Sequence, residues 1–257
     1  MGVRDHLGRL VPIDGRPERI ISLVPAITET MYHLGLDKEI VGRTRFCKFP
    51  EVKVQNVINI GGTKDIKLDR IHELKPDLII AEKEENTKEI VETLEKHYPV
   101  FVFEVQHFKD VFPMIEDIGR LTEKEEAGSK LVHQIKTAFQ TLPHGGNKRV
   151  AYVIWQRPYM VVGKDTYINS LLEEMGFINP FTEVEGRYPM VTEEDFKQAE
   201  LDELFLATEP FPFREKHLDV FHEMLPHTKV RIVDGEMFWY GAKMVEAAAY
   251  FKTIREE

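Results

Sequence analysis

"KPDLIIAEKEEN", Lys75 to Asn86, decides how the first half of this chain folds. An apolar run from Leu78 to Ala81 meets Glu82, Lys83, Glu84 and Glu85 with scarcely a turn residue between. In open α/β sheets, ligands bind beyond the carboxyl ends of the strands, so polar groups crowd there. A solvated loop is the plainer alternative, since most charge runs are that. Upstream, "IKLDRIHELK" has helical spacing with Leu68, Ile71 and Leu74 on one face. Downstream, Asn86 is placed to cap "TKEIVETLEKH", where Ile90, Val91 and Leu94 share a face. "PVFVFEV" is the next strand. Further out, "RIISLVP" reads as a strand, "AITETMYHLG" as a helix ended by Gly35, and "EIVGRT" and "NVINIGG" as short strands. Strands alternating with helices imply a mainly parallel sheet covered on both faces.

From Leu121 to Leu142 the pattern changes. "LTEKEEAGSKLVHQIKTAFQTL" carries Ala127, Leu131, Ile135, Ala138 and Leu142 at spacings of three and four. That predicts one long amphipathic helix of roughly 30 Å, broken by "PHGGNK". The alternation then restarts with echoes of the first half. "KRVAYVIW" resembles "ERIISLVP", "AELDELFLATEPFPF" resembles "ELKPDLIIAEKEEN", and "HTKVRIVDGEMF" resembles "HYPVFVFEVQHF". The expected fold is α/β: two similar Rossmann-like lobes with mainly parallel sheets, over 1–118 and 144–257, joined by one long rigid helix over 119–143.

The 257 residues are 42% hydrophobic and 30% charged, an ordinary globular composition. A net charge of −10 argues against nucleic acid as a partner, which calls for a clustered basic surface. No stretch approaches the ~20 apolar residues of a membrane span. "MGVRDHLGRL" lacks the apolar core of a secretion signal, so the expected location is cytoplasmic as written, or periplasmic or extracellular if an export signal has been removed. The single cysteine, Cys47, excludes an internal disulfide and a thiolate metal cluster.

Familiar catalytic motifs fail on spacing. "IGGTK" (Ile60–Lys64) lacks the two glycines five apart of a phosphate loop, and reads as a turn or a close backbone approach. "HEMLPH" puts Pro226 where a zinc-protease helix needs histidine. No Gly-x-Ser-x-Gly elbow is present. Cys47 is expected to be an inert thiol rather than a nucleophile. Aromatic residues, by contrast, gather in loops and at element ends: Phe46 and Phe49, Trp155 and Tyr159 beside Met160, Tyr188, Phe211 and Phe213, and Phe238, Trp239 and Tyr240. Such a set suits a cleft for a small molecule. Binding is therefore expected over catalysis, with no catalytic residue, resident cofactor or metal ligand assigned.

Together these stretches resemble the substrate-binding proteins whose lobes are joined by one rigid helix and which serve ABC importers of cobalamin, haem and iron siderophores. "RIISLVPAITETMYHLGL", "VGRTRFCKFP", "GGTKDIKLDRIHELKPDLIIA", "YMVVGKDTYINSLLEEMGFIN" and "RYPMVTEEDF" follow the family's order. "GGTK", "EEN", "EPFPF" and "DGEMFWYG" look like the cobalamin-binding, helical-backbone metal receptor subgroup. The resemblance implies a corrinoid or other metal-chelate ligand, and no covalent chemistry. It places Phe46, Thr63, Glu82, Met160 and Tyr188 at ligand-contact positions, with Thr63 and Glu82 departing from the tryptophans of cobalamin-binding members. Trp155, Tyr159 and Trp239 join them as loop aromatics in the expected cleft between lobes, with Lys64 the candidate partner of the Glu82 carboxylate. The resemblance also makes Asp69 and Glu194 the acids that meet arginines of an ABC permease; helix-start charges beside a favourable dipole are the alternative. The alternative function is a cytoplasmic enzyme or cofactor-handling protein on this scaffold, or a haem or siderophore binder.

Overall fold

A computed structural model describes residues 2–143 and 145–256, the side chains of 255 and 256 apart. The chain forms two compact units. Unit 1 comprises Met1–Val105, Lys109–Lys136 and Gly241–Lys243; unit 2 comprises Gln106–Phe108, Thr137–Tyr240 and Met244–Glu257. Among the described residues no helix is long and apolar enough to cross a membrane.

Unit 1 opens with an antiparallel hairpin, β1 (Gly2–Arg4) and β2 (Leu10–Pro12). Its main sheet contains β3 (Ile20–Ser22), β4 (Ile40–Arg43), β5 (Ile58–Asn59), β6 (Leu78–Glu82) and β7 (Val100–Phe103). All are parallel, in the order β5-β4-β3-β6-β7. The connecting helices are α1 (Pro25–His33), α2 (Glu51–Val54), α3 (Leu68–Leu74) and α4 (Lys88–Leu94), followed by α5 (Val111–Leu121) and α6 (Glu125–Gln140). Every residue of β6 and β7 is buried. That is why both read as unbroken apolar runs rather than alternating ones.

Unit 2 has β8 (Val150–Trp155), β9 (Tyr159–Val161), β10 (Met190–Val191), β11 (Glu203–Ala207) and β12 (Lys229–Val233) in the order β10-β9-β8-β11-β12. Strands β8, β11 and β12 are parallel, while β9 and β10 run antiparallel to their neighbours. Its helices are α7 (Tyr167–Glu174), α8 (Glu193–Gln198), α9 (Leu218–Met224) and α10 (Lys243–Glu256). Counted along the chain, both sheets have the strand order 3-2-1-4-5. The order reverses between the first and fourth strands, where such sheets open a crevice for ligands.

The echo between the halves extends to single hydrogen bonds. In unit 1, Arg19 N–H donates to Asp77 Oδ1 (2.9 Å) and Asp77 N–H returns a bond to the Arg19 carbonyl (3.0 Å). The Arg19 guanidinium also donates to the carbonyl of Leu74, the last residue of α3. In unit 2, Arg149 N–H donates to Asp202 Oδ2 (2.7 Å), Asp202 N–H to the Arg149 carbonyl (2.9 Å), and Arg149 Nε to the Ala199 carbonyl just past α8 (2.8 Å). Each helix leaves through a left-handed residue, Lys75 (φ 45°) or Glu200 (φ 47°). The same clamp thus joins the first and fourth strands of both sheets and satisfies orphan carbonyls at a helix end.

Three local expectations are corrected. The single helix expected from Leu121 to Leu142 is α6, but it begins later, at Glu125: a further helix, α5, ends at Leu121, and Glu123 (φ 56°) turns the chain between the two. A bond from Lys124 N–H to the Gly119 carbonyl (2.7 Å) closes that turn. The two helices then pack so closely that a Cβ at Gly128 would lie 3.2 Å from the Ile115 carbonyl. The division between units falls inside α6, after Lys136, whereas the sequence reading has a separate linker over 119–143. Second, Thr87, not Asn86, caps α4, accepting from Ile90 N–H (3.3 Å). Third, Leu68 stays 36% exposed while Ile71 and Leu74 on the same face are buried, because Leu68 is the first residue of its helix.

Candidate functional site

At the carboxyl edge of unit 1's sheet three loops are tied into one layer. Glu82 ends β6 with only 3% of its surface exposed. Its Oε2 accepts from the backbone N–H groups of Glu84 (2.7 Å) and Glu85 (3.0 Å), and its Oε1 from Val105 N–H (3.3 Å). Burial pushes its carboxyl above the usual carboxylate range, against the pull of those amides. Lys64 is exposed and is not among the partners of Glu82, so the expected pairing does not form. The reason is local: the chain folds back over the end of β6, and its own amides reach the carboxylate first. Asn86 locks the same turn. Its Oδ1 accepts from Glu82 N–H (3.0 Å), and its Nδ2 donates to the carbonyl of buried Thr63 (3.0 Å).

"IGGTK" is the turn that holds Thr63. Gly61 has φ 118°, and Gly62 N–H donates to the Asp65 carbonyl (2.9 Å). The Gly61 carbonyl accepts from Arg45 N–H (2.7 Å), and the Arg45 side chain forms a bidentate pair with Asp65 (2.9 Å for both bonds). Phe46 is thereby presented outward, 43% exposed, with the Arg45 guanidinium 4.9 Å over its ring. Cys47 lies beneath, 1% exposed, within 3.1 Å of the Thr28 hydroxyl and 3.2 Å of the Thr44 hydroxyl. Burial pushes its thiol up, as an inert structural cysteine requires.

In unit 2 the loops after β8, β11 and β12 bring aromatic groups together. Trp155, the last residue of β8, is 39% exposed, and its ring stands edge-to-face on Phe211 at 5.5 Å. Met160 is its register partner on β9, and Met190 is Met160's partner on β10. Trp239 follows β12 and donates its indole N–H to Glu209 in the loop after β11. The Glu209 side chain crosses Gly235 so closely that a Cβ there would lie 2.5 Å from Glu209 Cγ. Gly235 N–H donates to the Thr208 hydroxyl (2.9 Å), fixing the two loops together. Half-buried Tyr188 precedes β10 and lies within electrostatic reach of Tyr152, as do Glu209 and Asp234. The Tyr152 hydroxyl, fully buried, is pushed up by burial first and by those acids next.

Of the residues expected to bind, Trp155, Met160 and Trp239 belong to this edge of unit 2, while Tyr188 lies between Arg187 and Pro189, whose carbonyls accept from Gly163 and Val161 N–H. Tyr159, partly buried, packs against Phe196 and Phe221 of the apolar core at about the same distance from each (5.6 and 5.5 Å). Phe46 and Thr63 hold the edge of unit 1. One residue absent from that expectation is central, Glu209, which anchors Trp239, while Phe211, already among the loop aromatics, supports Trp155. "ATEPFPF" carries the signal, because it sits after β11 as "AEKEEN" sits after β6. Asp69 and Glu194 lie elsewhere, as the exposed second residues of α3 and α8. Each of those helices leads into the fourth strand of its sheet.

Two sheets of one strand order, each ending in loops that gather aromatic and polar groups, define a two-lobed α/β binding-protein fold. The chain belongs to the periplasmic binding protein family: the model described as "Periplasmic binding protein" matches residues 20–222. Its relatives include the vitamin B12-binding protein of Vibrio campbellii, 26% identical over 199 residues, or 76% of this chain and 72% of the relative. That of Vibrio cholerae is 25% identical over 180 residues, covering 68% of this chain and 65% of its own length. Among solved structures, the Vibrio cholerae periplasmic vitamin B12-binding protein BtuF superposes with a TM-score of 0.77 over 93% of this chain and 97% of its own, at 19% identity. The periplasmic haem-binding protein BhuT, with two haems, gives 0.81 over 93% and 97%, at 18% identity. Likeness at such identity establishes the fold.

Proposed function

We propose that this protein captures a corrinoid or a similar metal chelate and hands it to an ABC-type permease. The observation that carries the proposal is the aromatic edge of unit 2: Trp155 on Phe211 and Trp239 held by Glu209. Flat macrocycles stack on such faces, and their amide side chains find acceptors in carboxylates. The vitamin B12-binding relatives support the same reading. Delivery to a permease also favours the exported location over the cytoplasmic one. Asp69 and Glu194 supply the docking acids, at equivalent places in the two units.

Calorimetry and visible absorbance with hydroxocobalamin test the proposal, with haem and a ferric siderophore as competitors. Saturable binding of hydroxocobalamin is expected. At a hundredfold excess over Kd it should add about 2.7 kcal/mol of stability, read as a rise in Tm. Tyr188→Ala and Trp239→Ala should each cost on the order of 2 kcal/mol of affinity, with the fold retained. Failure of all three chelates to bind, together with saturable hydrolysis of a small ester or phosphate, would replace the receptor reading with the enzyme one.

A further inference from the structure

At the edge of unit 1's sheet opposite the ligand loops, two histidines from separate segments meet. His72 lies in the last turn of α3, just before β6, and His97 lies between α4 and β7. Their ring centroids are 5.4 Å apart and their planes stand at 86°. His72 Nδ1 is 2.6 Å from the Tyr98 hydroxyl. Both imidazoles are exposed. His72 Nε2 and both ring nitrogens of His97 make no hydrogen bond among the described residues.

We propose that His72 and His97 form an open two-imidazole site for a divalent transition-metal ion. Zinc–imidazole bonds of about 2.0–2.1 Å and a near-tetrahedral angle put two ring centroids about 5 Å apart, close to the spacing observed. Tyr98 supplies the outer shell. With its oxygen accepting the Nδ1 proton, His72 is held in the tautomer whose Nε2 lone pair is available to a metal. Among the described residues no group of three His, Cys, Asp or Glu side chains is placed to hold a metal, so water completes the coordination. The nitrogen-only donor set selects copper(II), nickel(II) or zinc(II), in the general order of affinity for such ligands, over magnesium or calcium. Because the ligands come from two segments, the ion would cross-link the end of α3 to the chain entering β7. The site is independent of the cargo proposed above.

The experiment uses untagged full-length protein stripped with a chelator, titrated by calorimetry with zinc(II) or copper(II) alone. One ion per chain is expected, with magnesium and calcium giving no signal. His72→Gln and His97→Gln should each lower affinity at least tenfold. Tyr98→Phe should lower it by roughly 10-fold or more, the range for outer-shell partners. The copper(II) electron paramagnetic resonance spectrum should report two imidazole nitrogens in the wild type and one in either variant. All three variants should keep the metal-free Tm, since the two imidazoles are exposed and Tyr98 donates or accepts only at the surface. Metal binding unchanged in the double His variant, or no saturable binding of copper(II) at millimolar concentration, would overturn the proposal. Neither result bears on corrinoid binding, which is assayed separately.

Discussion

Glu82 is a carboxylate that ends a core strand without reaching solvent. Its oxygens are occupied by three backbone amides, so it works first as the organiser of the turn that follows β6. Glu82→Ala should therefore destabilise the protein by at least about 1–3 kcal/mol, the cost of leaving buried donors unsatisfied, measured by urea unfolding. The pH dependence has a definite sign. The folded pKa is raised by burial, so the group's favourable contribution is complete below the unfolded value near 4.5 and is lost as pH rises through the folded value. The stability gap between wild type and the variant should accordingly shrink over that interval. The sequence shows the strand and the charge that ends it. It does not show the partners, because they are main-chain groups whose direction depends on the turn. Lys64 is the nearer guess from charge alone and remains in solvent. The same holds in unit 2, where a carboxylate in a proline-rich loop gives no sign that it will meet the indole of Trp239.

The most legible elements are those whose order repeats. A helix end, a left-handed residue, an aspartate and an apolar strand occur in both halves, and each time an arginine ahead of the first strand closes the clamp. That pattern is readable because helix exits and buried parallel strands leave strong local signals. The turn between α5 and α6 is not. Thr122, Glu123 and Lys124 contain neither proline nor glycine, so nothing local marks the turn, and the helix expected from Leu121 begins only at Glu125. The glycines that reveal the corner, Gly119 and Gly128, lie inside helices, where they look like mere weak points. Gly61 is the clearest test at this scale. Its φ of 118° is closed to ordinary side chains, and an added Cβ would fall 2.3 Å from the Asp65 carbonyl. Gly61→Ala should cost about 1–3 kcal/mol of stability. Because this turn holds Arg45 and Thr63, it should also weaken any ligand contact made through Phe46, seen as lower affinity for hydroxocobalamin in the fraction that folds.

For the molecule as a whole, Asp69 and Glu194 relate the two units most directly. Each is the exposed second residue of the helix entering the fourth strand. Each gains at most about 1 kcal/mol from its helix dipole, so stability alone gives little reason for an acid there. Asp69→Ala and Glu194→Ala should leave hydroxocobalamin affinity in solution unchanged, while lowering uptake through a cognate permease in a reconstituted system. Equal loss in both assays would return these acids to the role of helix-start charges.

Neither unit is one continuous stretch of chain. Gly241–Lys243 return to unit 1 after all of β8–β12 has been built. There Ala242 N–H donates to the Thr30 hydroxyl (3.0 Å), and buried Lys243 reaches Glu29 (3.2 Å) while lying 4.8 Å over the Phe49 ring. A truncated gene ending at residue 136 would thus encode β3–β7 and remove the cation that sits between α1 and the loop carrying Phe46. Nor would a second gene beginning at residue 137 supply Gln106–Phe108, whose Phe108 N–H donates to Ser170 of unit 2 (2.9 Å). One cut cannot yield two self-sufficient halves, and swapping a lobe with a relative would require exchanging all three of its segments at once.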